Sequence, residues 1–396
     1  MKKKRIYLDN SATTAVRSEV IKEMRPYFSA IYGNPSSFHS FGRKAHAALN
    51  NAREKIASFL NADASEIFFT GCGTESDNIA LFGIVNAAGK KGGVISTKIE
   101  HHAILHSCQR LEKLGYETAY LNADKDGVVS VDELVKAVKD DTLIVSVMHA
   151  NNEVGSLQPI EKIGEVLKKI NRDRANKIYF HSDCVQTAGK INLDVEKLGV
   201  DLLSISAHKF NGPKGVGALY VRKGTNIAPI TYGGHHEQGL RPGTENVAYI
   251  VGMAKALELS VKEIEEHDKH IRSLRDKLKN GIIERIPNVI INSSGDKAVS
   301  NILNVSFNYI EGEALLLKLD MAGIAVSTGS ACASGSSEPS HVLSAMGVAA
   351  VAAQGAVRFS FGWQNTREEV ERVLEVLPKI VKDLRRMSPV WNNQNN

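Results

Sequence analysis

Between residues 16 and about 260 the sequence alternates between amphipathic helical stretches and short apolar segments, and this alternation constrains the fold more than any other feature. Several segments are apolar at consecutive positions, as are parallel strands with both faces covered. Amphipathic helices are predicted over 43–60 and 160–170. Strands are predicted at EIFFT (66–70), GGVIST (92–97), TLIVSVM (142–148), KIYFHS (177–182), LLSISA (202–207) and VGALYV (216–221). The alternation favours a doubly wound α/β domain with a mostly parallel sheet.

The remainder of the chain has a different pattern. Residues 263–285 form a long charged stretch with helical character. It is followed by strand-like segments at 301–308 and 355–362, a helical segment at 312–323 and a closing helix near 367–386. With 396 residues the chain is long enough for two domains. We therefore predict a large domain over 16–262 and a smaller α+β domain built from 1–15 and 263–396.

Charge and hydropathy exclude several classes of protein. The net charge of +5 is small for this length, so it indicates neither a nucleic-acid partner nor a membrane surface. The opening MKKKR is interpreted as a solvated tail, because no apolar segment follows it and no run of 18 apolar residues occurs in the sequence. We expect a cytoplasmic protein with no membrane or nucleic-acid partner.

The four cysteines, Cys72, Cys108, Cys184 and Cys332, are widely spaced. None forms a CxxC pair, which excludes a zinc ribbon and a thioredoxin-like motif. Widely spaced cysteines in a chain without a leader are expected to be free thiols.

Polar side chains follow five of the predicted strands at the point where each strand ends. Because parallel strands present their carboxyl ends at one edge of a sheet, we expect these side chains to meet in one crevice. They are Thr74, His101, Asn152, Asp183 with Gln186, and His208 with Lys209.

Together these residue types suit pyridoxal phosphate. A helix that begins after a glycine-containing turn, as at Thr74, attracts phosphate. Asp183 can keep a pyridine nitrogen protonated, and Lys209 can form a Schiff base with an aldehyde. The alternative is that Lys209 is a structural lysine at a turn. A metal site at His101 and its histidine neighbours is disfavoured, because no cysteine or carboxylate lies nearby at ligand spacing.

The chain resembles the cysteine desulfurases, which are fold-type I pyridoxal-phosphate enzymes that supply sulfur for iron–sulfur cluster assembly. The resemblance runs from YLDNSATT (7–14) to MSPVW (387–391), nearly the whole chain. It includes GTES, EHHA, NNEVG, SAHK followed by GPKG, STGSAC (327–332) and SHVL at 340–343. The SSEPSHVL and MSPVW segments are most similar to the nitrogen-fixation type.

The resemblance implies a role for each motif residue. Lys209 would tether the cofactor, Asp183 would pair with the pyridine N–H, and His101 would stack on the ring and act as acid or base. Asn34 and Arg358 would hold the substrate carboxylate, for which a forked guanidinium is well suited. The remaining cofactor contacts implied are Gly73, Thr74, Asn152, Gln186, Ser206 and His208, with Thr244 reaching the phosphate from the second subunit of a homodimer.

Cys332 resembles the nucleophile that takes sulfur from L-cysteine as a persulfide and leaves L-alanine. It lies in a Gly-, Ser- and Ala-rich stretch, about 327–340, which is typical of a flexible loop. The resemblance implies an iron–sulfur scaffold protein as sulfur acceptor. No metal is expected in the free enzyme, although Cys332 could contact an iron–sulfur cluster during transfer.

Other interpretations stay open at this point. Another fold-type I reaction, such as that of an aminotransferase or a selenocysteine lyase, is the nearest alternative. A scaffold that has lost its chemistry is a more distant one. Cys184 departs from the family pattern beside Asp183, where it either packs or tunes the site, and free buried cysteine usually packs.

Overall fold

A seven-stranded sheet forms the centre of the computed structural model, which describes residues 5–328 and 339–392. Its strand order is β2-β8-β7-β6-β5-β3-β4. The strands of the chain are β1 (Ile6–Tyr7), β2 (Ile67–Thr70), β3 (Gly93–Thr97), β4 (Glu117–Leu121), β5 (Thr142–Ser146), β6 (Tyr179–Asp183), β7 (Leu202–Ser206), β8 (Gly217–Val221), β9 (Val289–Ile291), β10 (Ile302–Phe307), β11 (Ile324–Ala325), β12 (Ser327–Thr328) and β13 (Ala356–Ser360).

Helices alternate with these strands along the chain. The helices are α1 (Ser18–Met24), α2 (Ser40–Leu60), α3 (Gly73–Ala87), α4 (His102–Lys113), α5 (Val131–Ala137), α6 (Ile160–Ile170), α7 (Val195–Leu198), α8 (Val247–Lys262), α9 (Ile264–Arg285), α10 (Gly312–Met321), α11 (His341–Ala345), α12 (Ala350–Gln354), α13 (Arg367–Met387) and α14 (Pro389–Asn392). In the described part of the chain no helix is both long and apolar enough to span a bilayer.

Strand direction places the carboxyl ends of most strands at one edge. The pairs β4–β3, β3–β5, β5–β6 and β6–β7 are parallel. β8 runs antiparallel to both of its neighbours, β7 and β2. β2 therefore points the same way as β7, and the segments that follow β2, β3, β5, β6 and β7 all leave the sheet at the same edge.

Both faces of the large sheet are covered, as its continuous apolar strands require. Neighbouring residues of one strand pack on opposite sides. Leu203 joins a core with α2, α6 and α8, whereas Leu202 joins a core with α3 and α4. The predicted doubly wound α/β arrangement is confirmed.

A second, antiparallel sheet has the order β12-β13-β10-β9. Its apolar core includes residues of α9, α10 and α13. The N-terminal segment packs here too, because β1 pairs with β11 and Leu8 is part of this core. Asp9 forms a bridge with Ser360 of β13. The division into domains at residues 15 and 262 stays a prediction.

The predicted strands and helices agree with the structure within a few residues. The sequence pattern does not predict β4, which lies at the edge of the large sheet. Four of the five residues of this strand are exposed or only partly buried. An edge strand with one covered face lacks the continuous apolar run that identifies its neighbours.

Candidate active site

A crevice of about 300 Å³ opens where the strand ends converge. Ten residues predicted from the sequence line it: Gly73, Thr74, His101, Asn152, Asp183, Gln186, Ser206, His208, Lys209 and Arg358. Ser11, Ala12, Cys72, Asp77, Met148 and Val185 complete the lining. Side chains from five strand ends, the N-terminal segment and β13 thus meet in one place.

Lys209 lies in a short 3₁₀ turn directly after β7. Its Nζ atom donates to the carbonyl oxygens of Ser11 and Ala12, at 2.6 and 2.9 Å. The N-terminal segment therefore holds the amine in the crevice. The turn ends the strand and aims Lys209 across the sheet edge.

Asp183 is the last residue of β6 and is 6% exposed. Its Oδ1 atom accepts from the backbone N–H of Val185 at 2.8 Å. Burial raises the pKa of this carboxyl to about 6, while the Val185 N–H and the nearby Lys209 act in the opposite direction. A cationic group in the crevice would stabilise the carboxylate further.

His101 caps the N-terminus of α4. Its Nδ1 atom accepts from the backbone N–H of Ala103 at 3.1 Å, so the neutral ring carries its proton on Nε2. Burial and, to a lesser extent, Lys209 lower the pKa of His101 to about 4. At neutral pH the crevice therefore contains an uncharged imidazole whose proton is on Nε2.

Three more histidines, His102, His106 and His341, lie beside His101. The His102 ring has its centre 4.9 Å from the centres of both His106 and His341. Across residues 5–328 and 339–392, no group of three or more His, Cys, Asp or Glu side chains has the arrangement of a metal site. The rings of the cluster are tilted against one another, by 33° for His102 and His106 and by 48° for His102 and His341.

One end of the crevice is suited to an anion. Gly73 and Thr74 form the first turn of α3, whose N-terminal N–H groups favour negative charge. A Cβ atom on Gly73 would lie 2.7 Å from Val185 Cγ2, so this close approach requires glycine. The buried Ser206 Oγ has no hydrogen-bond partner among the described residues, which marks a donor available to a ligand.

Arg358 enters the crevice from β13 and is 2% exposed. Its Nη2 atom pairs with Asp9 Oδ1 at 2.8 Å, and its Nη1 atom donates to the carbonyl of Asn152 at 2.8 Å. Within the described structure its buried Nε atom has no partner. Two hydrogen bonds thus hold the guanidinium in place, and its Nε–H is available to donate to a carboxylate.

Among the predicted site residues that the structure describes, Asn34 and Thr244 do not line the crevice. Asn34 is exposed, and its Oδ1 atom accepts from the Ser36 N–H at 2.9 Å. Thr244 is also exposed. Cys332 lies outside the described residues. The roles assigned to these three stay predictions.

Sequence reasoning missed several lining residues. The DNSATT segment was identified as a motif. The sequence does not indicate, however, that the backbone carbonyl groups of this segment contact Lys209. Asp77 lies in α3, is 1% exposed, and has its Oδ1 atom 3.6 Å from His181 Nε2. Burial and the neighbouring Asp183 raise the pKa of Asp77. The sequence feature that could have identified Asp77 is its position at the start of the apolar run DNIALFGIV, which indicates a buried carboxylate.

The cysteines that the structure describes differ in their access to the crevice. Cys72, Cys108 and Cys184 are free thiols, as predicted. Cys72 lines the crevice. Cys108 lies in α4 and is buried in the core that includes residues of α3, which raises its thiol pKa to about 12. Cys184 is fully buried in the core, and burial raises its pKa as well.

Comparisons with known proteins place this crevice in a known fold. The family model described as aminotransferase class-V matches residues 6–373. The chain is 52% identical to the cysteine desulfurase IscS of Methanosarcina thermophila over 98% of this chain and 94% of that protein. It is 49% identical to the IscS of Dictyoglomus turgidum over 98% and 97%. A solved NifS-like protein is 44% identical, with a TM-score of 0.90 over 96% of this chain and 100% of that one.

The buried neutral state of His101 predicts a pH-dependent stability. In the unfolded chain its imidazole takes up a proton as the pH falls through 6.5, but in the folded protein it does so only near pH 4. Stability should therefore decrease as the pH falls between these values. The variant His101→Gln has no such titration. Between pH 7.5 and pH 5 its free energy of unfolding should therefore decrease by about 1–2 kcal/mol less than that of the parent.

The measurement is urea unfolding of the cofactor-free proteins at both pH values. His46→Gln, at an exposed position of α2, is the matched control and should follow the parent. An equal loss of stability in His101→Gln and the parent would contradict the assignment of a neutral, buried His101.

Proposed function

The chain belongs to the class-V aminotransferase family, and from this premise we propose that its crevice is the active site of a pyridoxal-phosphate-dependent cysteine desulfurase. The enzyme converts L-cysteine to L-alanine and passes the sulfur to an acceptor. Relatives named cysteine desulfurase match over almost their whole length, which favours this activity over those of an aminotransferase or a selenocysteine lyase. The observation that carries the proposal is the meeting of Lys209, Asp183 and Arg358 in one crevice.

The residues present fit pyridoxal phosphate. The first turn of α3, with Ser206 and His208, would hold the phosphate, and Asp183 would hold the ring nitrogen. The buried Oε1 atom of Gln186 has no partner among the described residues, so it is available to the ring hydroxyl. When bound, the cofactor supplies an aldehyde that condenses with amines and a protonated ring that draws electrons from the substrate Cα.

The chain's own groups then divide the work. Arg358 binds and orients the substrate carboxylate, with Asn34 as a second contact. Lys209, whose amine would hold the cofactor aldehyde in the absence of substrate, would take the Cα proton, for which its place at the crevice edge is suited. The neutral His101, with its proton on Nε2, would act as acid or base beside the ring. Asp183 keeps positive charge at the ring nitrogen.

Cys332 completes the reaction as the nucleophile. Its thiolate attacks the substrate sulfur, so an S–S bond forms while the Cβ–S bond breaks. The persulfide then delivers sulfur to an acceptor, for which we propose an iron–sulfur scaffold protein. The cytoplasmic location stays a prediction from the sequence.

We also propose a homodimer in which Thr244 of one subunit completes the phosphate site of the other. Support comes from a groove of about 930 Å³ lined by residues 35–38, 235–238 and Glu245, next in sequence to Thr244. Phe38 and Tyr232 are 94% and 84% exposed in the single chain. Phe38 lines this groove, and contiguous apolar surface at an exposed groove is typical of a protein interface.

The first test of the function removes Lys209. With L-cysteine, the parent should release alanine and sulfur in equal amounts, and Lys209→Ala should lose on the order of a thousandfold in rate. Borohydride followed by mass spectrometry should attach the cofactor covalently to the parent only. Alanine release by Lys209→Ala at the parental rate would refute the assignment.

Removal of Cys332 separates sulfur transfer from binding. Cys332→Ala should bind the cofactor and respond spectroscopically to cysteine, but it should carry no persulfide by mass spectrometry. Cys108→Ala, at a buried site away from the crevice, is the control and should keep the persulfide. Cys72 also lines the crevice, so Cys72→Ala tests it as the alternative nucleophile. If Cys72→Ala loses the persulfide and Cys332→Ala keeps it, Cys72 is the nucleophile.

Complementation tests the shared site. Lys209→Ala and Thr244→Ala should each be impaired alone. When they are refolded together, a mixed dimer has one site with both defects and one intact site. Activity should return to roughly a quarter of the parental value, because half of randomly paired dimers are mixed. The presence of mixed dimers is verified by tag pull-down. If these dimers are no more active than the average of the two single variants, the shared site is ruled out.

A further inference from the structure

A buried carboxylate beside the crevice has no role in the reaction as described above. Glu153 directly follows Asn152 and is 4% exposed. Its Oε2 atom accepts a hydrogen bond of 2.5 Å from the hydroxyl of Ser340, which is 5% exposed. Ser340 lies eight residues after Cys332 in the sequence. The bond therefore joins the crevice wall to the point where the described chain resumes after Cys332.

The helix that begins after Ser340 is fixed to the same wall. His341 at the start of α11 has its Nε2 atom 3.0 Å from the carbonyl oxygen of Glu100, next to His101. Val342 and Leu343 are fully buried in a small core with residues that include Ile99 and Val154. α11 is thus docked on the segments that follow β3 and β5, which carry His101 and Asn152 into the crevice.

The other side of the Cys332 segment is fixed at the same place. β12 ends four residues before Cys332, and its Ser327 pairs with Arg358 in the ladder with β13. Arg358 in turn donates to the carbonyl of Asn152, the residue before Glu153. The two attachment points, Ser327 before Cys332 and Ser340 after it, are therefore both linked to Arg358. Ser327 pairs with Arg358 directly, and Ser340 bonds Glu153, which follows the residue whose carbonyl accepts from Arg358.

A purely structural reading assigns Ser340 to helix capping alone. Its hydroxyl does accept from the Leu343 N–H at 3.2 Å, which caps α11. Capping does not need a carboxylate, however, and burying Glu153 is unfavourable unless its charge is compensated. Burial raises the pKa of Glu153 to about 7, and the Ser340 hydroxyl and Arg358 oppose that rise. Glu153 thus faces two partners, one at the substrate site and one at the attachment point.

We propose that Glu153 and Ser340 are positioning residues for sulfur transfer, whose hydrogen bond holds the return end of the Cys332 segment at the substrate-carboxylate end of the crevice. The inference rests on the proposed function, with Cys332 as nucleophile. A short tether with both ends fixed raises the effective concentration of a thiolate at its target. Loss of one attachment should slow sulfur transfer and leave substrate binding nearly unchanged.

The step that the pair assists is balanced. A bond forms between the sulfur of Cys332 and the substrate sulfur, and the substrate Cβ–S bond breaks. The electron pair of that bond stays with carbon, which takes up a proton. One L-cysteine and one thiol thus give one L-alanine and one persulfide, with sulfur oxidised and carbon reduced.

The test measures persulfide formation in a single turnover of the holoenzyme. After rapid quenching and alkylation, mass spectrometry gives the rate at which Cys332 gains sulfur. Ser340→Ala should slow this rate roughly tenfold, with the half-saturating cysteine concentration changed less than about threefold. Ser340→Thr, which keeps the hydroxyl, should restore the rate.

Glu153→Met removes the acceptor of the same hydrogen bond and leaves the Ser340 cap of α11 in place. It therefore tests the positioning role even if Ser340→Ala does not fold. It should slow persulfide formation to a similar degree. Because both changes remove one bond, the double variant should be no slower than the slower single variant. In the cofactor-free protein, Glu153→Met should also speed amide hydrogen exchange in α11.

Ser130→Ala is the matched control. Ser130 caps the short helix α5 through a 3.3 Å bond to the Glu133 N–H, and it is exposed and not part of the crevice lining. This variant should form persulfide at the parental rate. A slowed Ser130→Ala would mean that loss of any cap has the same effect, and would overturn the inference.

Two further outcomes separate this inference from the proposed function. Parental persulfide rates in Ser340→Ala and Glu153→Met, or multiplicative effects in the double variant, would overturn the positioning role and leave the desulfurase assignment intact. A parent protein that forms no persulfide on Cys332 would overturn the proposed function and the inference with it.

Discussion

The hydrogen-bond ladder between β6 and β7 sets the geometry on which the site depends. Its register places Asp183 opposite Ser204, two residues before Ser206. The 3₁₀ turn that follows then brings Lys209 to the same edge of the sheet. A shift of one residue in this ladder would turn Asp183 to the other face, because side chains alternate along a strand. Backbone pairing thus fixes the distance between the acid and the amine before any ligand binds.

Burial of charge is the second constraint on the site. Asp77, Glu100, Glu153 and Asp183 are all almost fully buried near the crevice, and burial raises the pKa of each. Glu100 has a pKa of about 8. Such groups are costly to ionise together, so cations and hydrogen-bond donors must lie close by. The structure supplies them from Lys209, from Arg358 and from backbone N–H groups.

Arg358 makes the crevice depend on the second sheet. The large sheet carries most of the side chains proposed to hold the cofactor, but the candidate ligand for the substrate carboxylate comes from β13. Its contacts with Asp9 and with the Asn152 carbonyl tie β13, the N-terminal segment and the end of β5 together. The same junction carries the attachment points of the Cys332 segment. Under the proposed function, substrate binding and sulfur transfer would therefore depend on the same contacts of Arg358.

Local patterning in the sequence was enough to predict much of this arrangement. Apolar runs identified the buried strands, and the residues that follow them identified seven of the crevice residues. Gly73, Ser206 and Arg358 were identified only through the family resemblance. These features are local, since strand formation and the polar residue at its end lie within a few positions of each other. The edge strand β4 was not predicted, because four of its five residues are exposed or only partly buried and it has no continuous apolar run.

What the tertiary structure decided involves residues far apart in the chain. The carbonyl groups of Ser11 and Ala12 contact Lys209 across almost two hundred residues. Asp77 acquires its character from packing against His181 and Asp183, and Glu153 from contact with Ser340. A backbone carbonyl has the same chemistry at every position, and a carboxylate shows its burial only when the chain is packed. The sequence by itself determined which groups the sheet edge offers, whereas packing determined which of them meet, because partners, burial and pKa depend on distances that no local pattern encodes.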